Sequence, residues 1–332
     1  MPEQHQEVVV VTGASAGVGR AVVREFAQRG AHIGLLARGQ SRLEEAKAEV
    51  ERYGGRALAL PTDVARAKEV EHAADQVERQ FGPIDVWVNN AMTTIFAPFE
   101  QITPEEFKRA TDVTYLGCVY GTMAALRRMK RRNCGTIVQV GSALAYRSIP
   151  LQSPYCGAKH AIVGFTDSLR CELLHDQSRV HLTVVHLPGM NTPQFSWCRT
   201  RLPRHPMPMG PVFEPEVAAR AIYWAAHHHR REVYVGWPTI KAIYGQELAP
   251  ELADKYLAET GYDGQQTAEP VDANRPDNLF EPVPGPFAAR GIFSDRAKNT
   301  SIQTWMDLHR KQVALAAAGI AGVAALLARR AA

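Results

Sequence analysis

The stretch EVVVVTGASAGVG, residues 7–19, passes from a run of β-branched residues straight into a glycine-rich turn. Branching at Cβ suits a pleated backbone, so the valines predict a strand. No polar residue alternates with them, which predicts burial on both faces. Gly13, Gly17 and Gly19 then stand where strand must give way to helix. Glycine lets the backbone turn tightly there and lets N–H groups at the helix start face a pyrophosphate. The spacing is not the GxGxxG of the commonest dinucleotide fingerprint. The turn therefore reads either as a tight strand–helix loop or as a phosphate cradle, and its place after the first strand favours the cradle.

Working outward, strand and helix alternate. Residues 17–29 carry Val18, Val22, Val23 and Phe26 at helical spacing, and AHIGLLA (31–37) is a second strand. SRLEEAKAEVERYG (41–54) predicts a helix with Ser41 as N-cap and Gly54 as stop. Strands follow at RALALPTDV (56–64), IDVWVNNA (84–91), GTIVQVGS (135–142) and VHLTVVHLPG (180–189). Helices are predicted at 66–81, 103–132 with Thr103 as cap and Pro104 in the first turn, and 153–175. A helix from Glu216 to His227 and a strand at EVYVGW (232–237) complete the pattern. Strands apolar on both faces, alternating with helices, define an α/β fold, a doubly wound parallel sheet of Rossmann type. It spans residues 1–237 as one catalytic domain, and residues 238–263 read as a short helical extension. Residues 264–300, rich in Pro, Gly, Asp and Asn, read as an extended tail, and 301–332 as an Ala-rich helix.

In such a fold the end of the second strand meets the adenosine ribose. An acid there would bind the ribose hydroxyls of NAD, whereas Arg38 suits the 2′-phosphate of NADP. No Asp or Glu lies between Gly34 and Ser41, so NADP(H) is preferred over NAD(H). Asp63, with Val64 beside it, falls near the adenine, and Asn89, Asn90 and Ala91 end the fourth strand at the sheet edge where ligands bind.

The stretch SPYCGAKH (153–160) puts Tyr155 and Lys159 one helical turn apart on one face, and Ser142 ends the strand before it. TGASAGVG, NNA, Ser142, Tyr-x-x-x-Lys and PG after the sixth strand together resemble the short-chain dehydrogenase/reductase family over residues 5–237. The resemblance implies a carbonyl–alcohol oxidoreductase. Tyr155 would be its general acid/base, Lys159 would lower the tyrosine pKa and hold the nicotinamide ribose, and Ser142 would bind the substrate oxygen. Cofactor contacts would fall on Gly13, Ser15, Gly17, Val18, Gly19, Arg38, Asp63, Val64, Asn90, Pro188, Gly189 and Thr192, besides Tyr155 and Lys159. A homodimer or homotetramer is implied on the same ground.

Three positions depart from the family pattern. Thr114 stands where an asparagine usually supports a proton relay, Met92 replaces a glycine, and PGMNT is one residue shorter than usual before Thr192. They keep open a second reading, a cofactor-binding regulatory or scaffold protein weakened in catalysis. Residues 190–213, with Met190, Phe195, Trp197, Met207 and Met209, read equally as a lid over an apolar substrate and as a segment packed on its own core or on a partner subunit.

The formal charge of +4, without aromatic–basic interleaving, gives no nucleic-acid reading, and the cluster Arg127–Arg132 reads as a solvated helix end. Cys118, Cys134, Cys156, Cys171 and Cys198 show no CxxC spacing and His227–His229 lack companion ligands, so neither a disulfide frame nor a metal is expected. The N-terminus has no basic segment followed by a long apolar core, which points to a cytoplasmic protein. Residues 313–328 are sixteen uncharged, mostly small or aliphatic residues. As a helix they reach ~24 Å, short of a ~30 Å hydrocarbon layer. They read as a membrane contact or as a helix docked on protein.

Overall fold

The computed structural model describes residues 6–319 apart from Ala273. The predicted alternation is present: β1 (Val8–Thr12), α1 (Gly17–Ala27), β2 (His32–Ala37), α2 (Gln40–Arg52), β3 (Ala57–Pro61), α3 (Ala67–Phe81) and β4 (Val86–Asn89). Then come α4 (Pro104–Thr111), a π-helical segment (Asp112–Leu116) and α5 (Gly117–Arg132). The domain closes with β5 (Thr136–Ser142), α6 (Ser153–His175), β6 (His181–Leu187), α7 (Pro215–His227) and β7 (Glu232–Tyr234).

The seven strands form one parallel sheet in the order β7-β6-β5-β4-β1-β2-β3. The valine run explains its centre. Val9 and Val11 pack with Val22 and Phe26 of α1 on one face, while Val8 and Val10 pack with Val70 and Val77 of α3 on the other. The order reverses between β1 and β4, so the carboxyl ends of those strands diverge and leave a crevice.

Several local expectations are corrected. Ser41 is not the cap of α2, which begins at Gln40 after Gly39 and has no side-chain cap. The helix predicted over 103–132 opens with a capping box between Thr103 and Glu106, but it is interrupted by the π segment that carries Thr114. The basic end of α5 is not simply solvated: Arg128 is buried and pairs with Glu71, Asp75 and Glu78 of α3.

Beyond β7, within the stretch read as a helical extension, come α8 (Trp237–Leu248) and α9 (Pro250–Thr260). Residues 264–300 have little regular structure, yet they lie against the catalytic core. Gln266–Pro270 pairs with Arg204–Pro206, and Leu279, Val283, Ala289 and Phe293 are buried. Helix α10 (Ile302–Leu308) docks on β7 and α7, with Thr304 accepting the Gly236 N–H. Of the apolar stretch 313–328, residues 320–328 lie outside the described residues, and no helix among the described residues is long and apolar enough to cross a membrane.

Removing the buried cation that joins α3 to α5 strands three carboxylates together. Arg128→Ala is expected to lower the unfolding free energy by about 1–3 kcal/mol, measured by urea titration, less than for a fully buried pair because its partners are partly exposed.

Candidate active site

The glycine turn is built by backbone-to-backbone contact. Gly13 and Gly17 have φ of +68° and +58°, and a Cβ on Gly19 would lie 2.1 Å from the Gly13 carbonyl oxygen. Only glycine brings α1 that close. No side chain caps α1 at Ala16, so its first N–H groups are left for other acceptors. One has been taken: the Gly17 N–H donates to the Ala288 carbonyl of the C-terminal segment at 3.0 Å. Asn90 fixes the neighbouring strand, its side-chain amide donating to the Thr12 and Gly13 carbonyls, while the Thr12 hydroxyl accepts the N–H groups of Asn90 and Ala91.

A continuous cavity of about 390 Å³ runs along the carboxyl edge of the sheet. Gly13, Ser15, Gly17, Val18, Arg38, Asp63, Val64 and Asn90 line it toward β1 and β2. Ser142, Tyr155, Lys159, Pro188, Gly189 and Thr192 line it toward β5 and β6. Nearly all the site residues read from the sequence thus share one cleft. Gly19 acts through the turn, and Asn89 points away into a buried network with Trp87, Thr122 and Gln139. Met92 lines the cleft, and Thr192 sits against Gly17.

At the β5 end, Ser142 Oγ accepts the Leu144 N–H at 3.1 Å, and its hydroxyl faces the Tyr155 phenol. Tyr155 follows in the first turn of α6. Burial pushes its phenol above the ordinary range, and a hydrogen bond with Ser142 offsets this only in part. Lys159 Nζ lies 5.5 Å from the Tyr155 ring centroid, and desolvation sets the net direction for the phenol. Lys159 is itself buried, donates to the Val140 carbonyl at 2.6 Å, and is lowered by burial to about 8.

Thr114 does not line the cavity. Its hydroxyl donates to the Thr93 carbonyl at 3.0 Å and accepts the Thr93 N–H at 3.1 Å. The hydroxyl proton is therefore committed, and Thr114 clips the π segment to the strand-end loop beside Met92.

Sequence reasoning missed what stands behind Ser142. His186, fully buried in β6, has Nδ1 3.3 Å from the Ser142 carbonyl oxygen and Nε2 3.3 Å from Glu232 Oε2. Tyr146 and Tyr234 donate to the same carboxylate. Burial would raise the Glu232 carboxyl, but hydrogen bonds from His186, Tyr234 and Tyr146 hold it at about 2. Only the pairing of β6 with β7 brings these residues together, so no local motif marks them.

Residues 190–213 face two surroundings. Met190, Pro208 and Met209 face the cavity, while Phe195, Cys198 and Leu202 pack with Phe96, Leu151 and the tail's Phe293. The cysteines are all free. Among the described residues, no group of three or more His, Cys, Asp or Glu is placed to hold a metal ion.

Residues 7–200 match the family model for short chain dehydrogenases. The chain is 32% identical over 277 residues to the uncharacterized oxidoreductase YxnA of Bacillus subtilis (strain 168), covering 83% of this chain and 78% of that one. It is 34% identical over 193 residues to 3-dehydrosphinganine reductase of Danio rerio, covering 57% of this chain and 58% of that protein. A metagenomic short-chain oxidoreductase solved in complex with NADP superposes with a TM-score of 0.58 at 26% identity, covering 69% of this chain and 96% of the other. The chain belongs to the short-chain dehydrogenase/reductase family and is an oxidoreductase acting on CH–OH groups.

Thr114→Val keeps the side-chain shape but leaves both Thr93 backbone groups unpaired. A loss of about 2–4 kcal/mol in urea unfolding is expected, with Thr114→Ser retaining most of the stability.

Proposed function

We propose that this chain is an NADP(H)-dependent ketone reductase whose substrate is apolar. The observation that carries the reading is the cleft itself, which joins the uncapped glycine turn and Arg38 to Ser142, Tyr155 and Lys159. The residues fit a dinucleotide: glycines clear the turn of side chains, and an arginine stands at the end of β2 where an acid would favour NAD. When bound, the dinucleotide supplies or accepts the hydride.

The chain's own groups handle the proton. The buried phenol holds its proton at neutral pH and can donate it to a carbonyl oxygen. The Ser142 hydroxyl, beside the Tyr155 phenol, orients and polarises that oxygen. The Lys159 ammonium, held by the Val140 carbonyl, stabilises negative charge developing on the phenol. Met92, Met190, Leu144, Pro208 and Met209 give the substrate end an apolar lining. A relative named 3-dehydrosphinganine reductase is compatible with that lining, and the substrate class is proposed from both.

Tyr155→Phe is expected to keep dinucleotide binding, read by nicotinamide fluorescence, and to lose at least about a hundredfold in turnover on apolar ketones. Unchanged turnover would remove the assigned role. If NADPH binds tightly and no ketone, aldehyde or alcohol turns over in the unaltered chain, the scaffold reading replaces this one.

Lys159 gives a pH dependence with a definite sign. It is charged below about 8 and neutral above, so reductive turnover should fall as pH rises through that value. Lys159→Arg should shift this limb upward in a pH–rate profile. Stability should move oppositely: between about 8 and the ordinary 10.5 the unfolded chain holds the extra proton, so this group's contribution favours the fold increasingly with pH.

A further inference from the structure

Residues 277–293 cross the cleft without forming a helix or strand, and they are held at both ends. At the first hold, Asp277 pairs with Arg199 of the lid at 2.8 Å, and Leu279 is fully buried among Ile95, Ala97 and Ala110. At the second, the Gly291 N–H donates to the Asn191 carbonyl at 3.1 Å, and Phe293 packs with Phe96 and Phe195.

Between the holds the segment meets the core mainly through its carbonyl oxygens. Arg38 donates from Nη2 to the Asn278 carbonyl and from Nη1 to the Phe280 carbonyl, each at 2.5 Å. Arg42 Nη1 donates to the Val283 carbonyl, and the Gly17 N–H to the Ala288 carbonyl at 3.0 Å. Asn278 and Pro282 line the cavity from this side. Of residues 280–290, only Val283 and Ala289 are buried. Pro284, Gly285 and Pro286 are exposed, and Gly285 turns the chain at φ +131°.

A segment with few buried apolar contacts opens locally at far less cost than global unfolding. The first turn of α1 is where the oxygens of an anion belong. While the Ala288 carbonyl holds the Gly17 N–H, a phosphate cannot take it. A carbonyl is a neutral dipole, however, and hydrogen bonds to a charged acceptor are roughly twice as strong. A phosphate can therefore displace the tail from that donor.

We propose that residues 280–290 are a strap over the cleft that must lift from Gly17, Arg38 and Arg42 each time a dinucleotide enters or leaves, so that strap opening sets the rate of cofactor exchange. This rests on the dinucleotide reading of the cleft and holds for NADPH and NADH alike. It gives a kinetic role to a segment beyond the family-matched residues 7–200.

The strap can be locked and loosened in the full chain. A Cβ on Gly39 would lie 3.7 Å from the Pro282 Cβ, within the span of a disulfide. Gly39→Cys combined with Pro282→Cys therefore ties the strap to the residue before α2 when oxidised. Mass spectrometry confirms the bond, and the oxidised unaltered chain controls for the native cysteines, which are all free. NADPH release and uptake are followed by stopped-flow nicotinamide fluorescence. In protein loaded with NADPH and then oxidised, release should slow at least about tenfold, and reduction should restore it. Protein oxidised before loading should show uptake slowed in the same way. Leu279→Ala loosens the first hold and should speed both release and uptake about tenfold, with Kd changed by less than about threefold. Exchange at the reduced rate in the oxidised double variant, or unchanged release in Leu279→Ala, overturns the strap while the dinucleotide reading stands. If the unaltered chain binds neither NADPH nor NADH, the dinucleotide reading falls and the strap falls with it.

Discussion

Backbone contact at the glycine turn is the constraint on which the site depends. With Gly13 at positive φ and Gly19 pressed on its carbonyl, α1 enters directly above the end of β1. A methyl group at either place would push α1 outward and open the crevice between β1 and β4. Thr12 and Asn90 then tie the β4 end to the same turn. The cleft is thus walled by hydrogen-bonded backbone, which holds shape better than side-chain packing alone.

The far wall obeys a different logic. Ser142, Tyr155 and Lys159 come from consecutive elements, β5 and α6, so their spacing follows from local geometry. Their electrostatics do not. Burial sets the direction for both the phenol and the ammonium, and burial comes from the lid, the sheet and the helices together. The surroundings of Ser142 and Tyr155 therefore depend on groups distant in sequence, including the His186–Glu232 pair behind Ser142.

The tail joins the two walls. Glu106 of α4 accepts from Arg199 and Arg201 of the lid, and Arg199 also reaches Asp277 at the start of the covering segment. Asn191 of the lid donates to Glu214 and Ser294 and accepts the Phe293 N–H. Helix, lid and tail are one hydrogen-bonded assembly, so the C-terminal extension is a structural part of the cleft it covers.

The fold and most of the site were legible in the sequence because their causes are local. Valine runs make buried strands, glycines mark the close approach, and Tyr155 and Lys159 share a helix face by periodicity. The Thr103 cap was legible for the same reason. The burial of Arg128, the clip made by Thr114, the raised phenol, the His186–Glu232 pair and the tail carbonyls on Arg38, Arg42 and Gly17 were not. Each depends on a partner brought close only by folding, and residues 277–293 carry no periodicity to announce where they lie. Sequence by itself determined the order of strands and helices and the choice of Ser142, Tyr155 and Lys159 as candidate reacting groups, since both arise from neighbours along the chain. Tertiary structure alone decided which charges are buried, which donors are already occupied and what closes the cleft, because desolvation and long-range hydrogen bonds exist only between segments that meet in space.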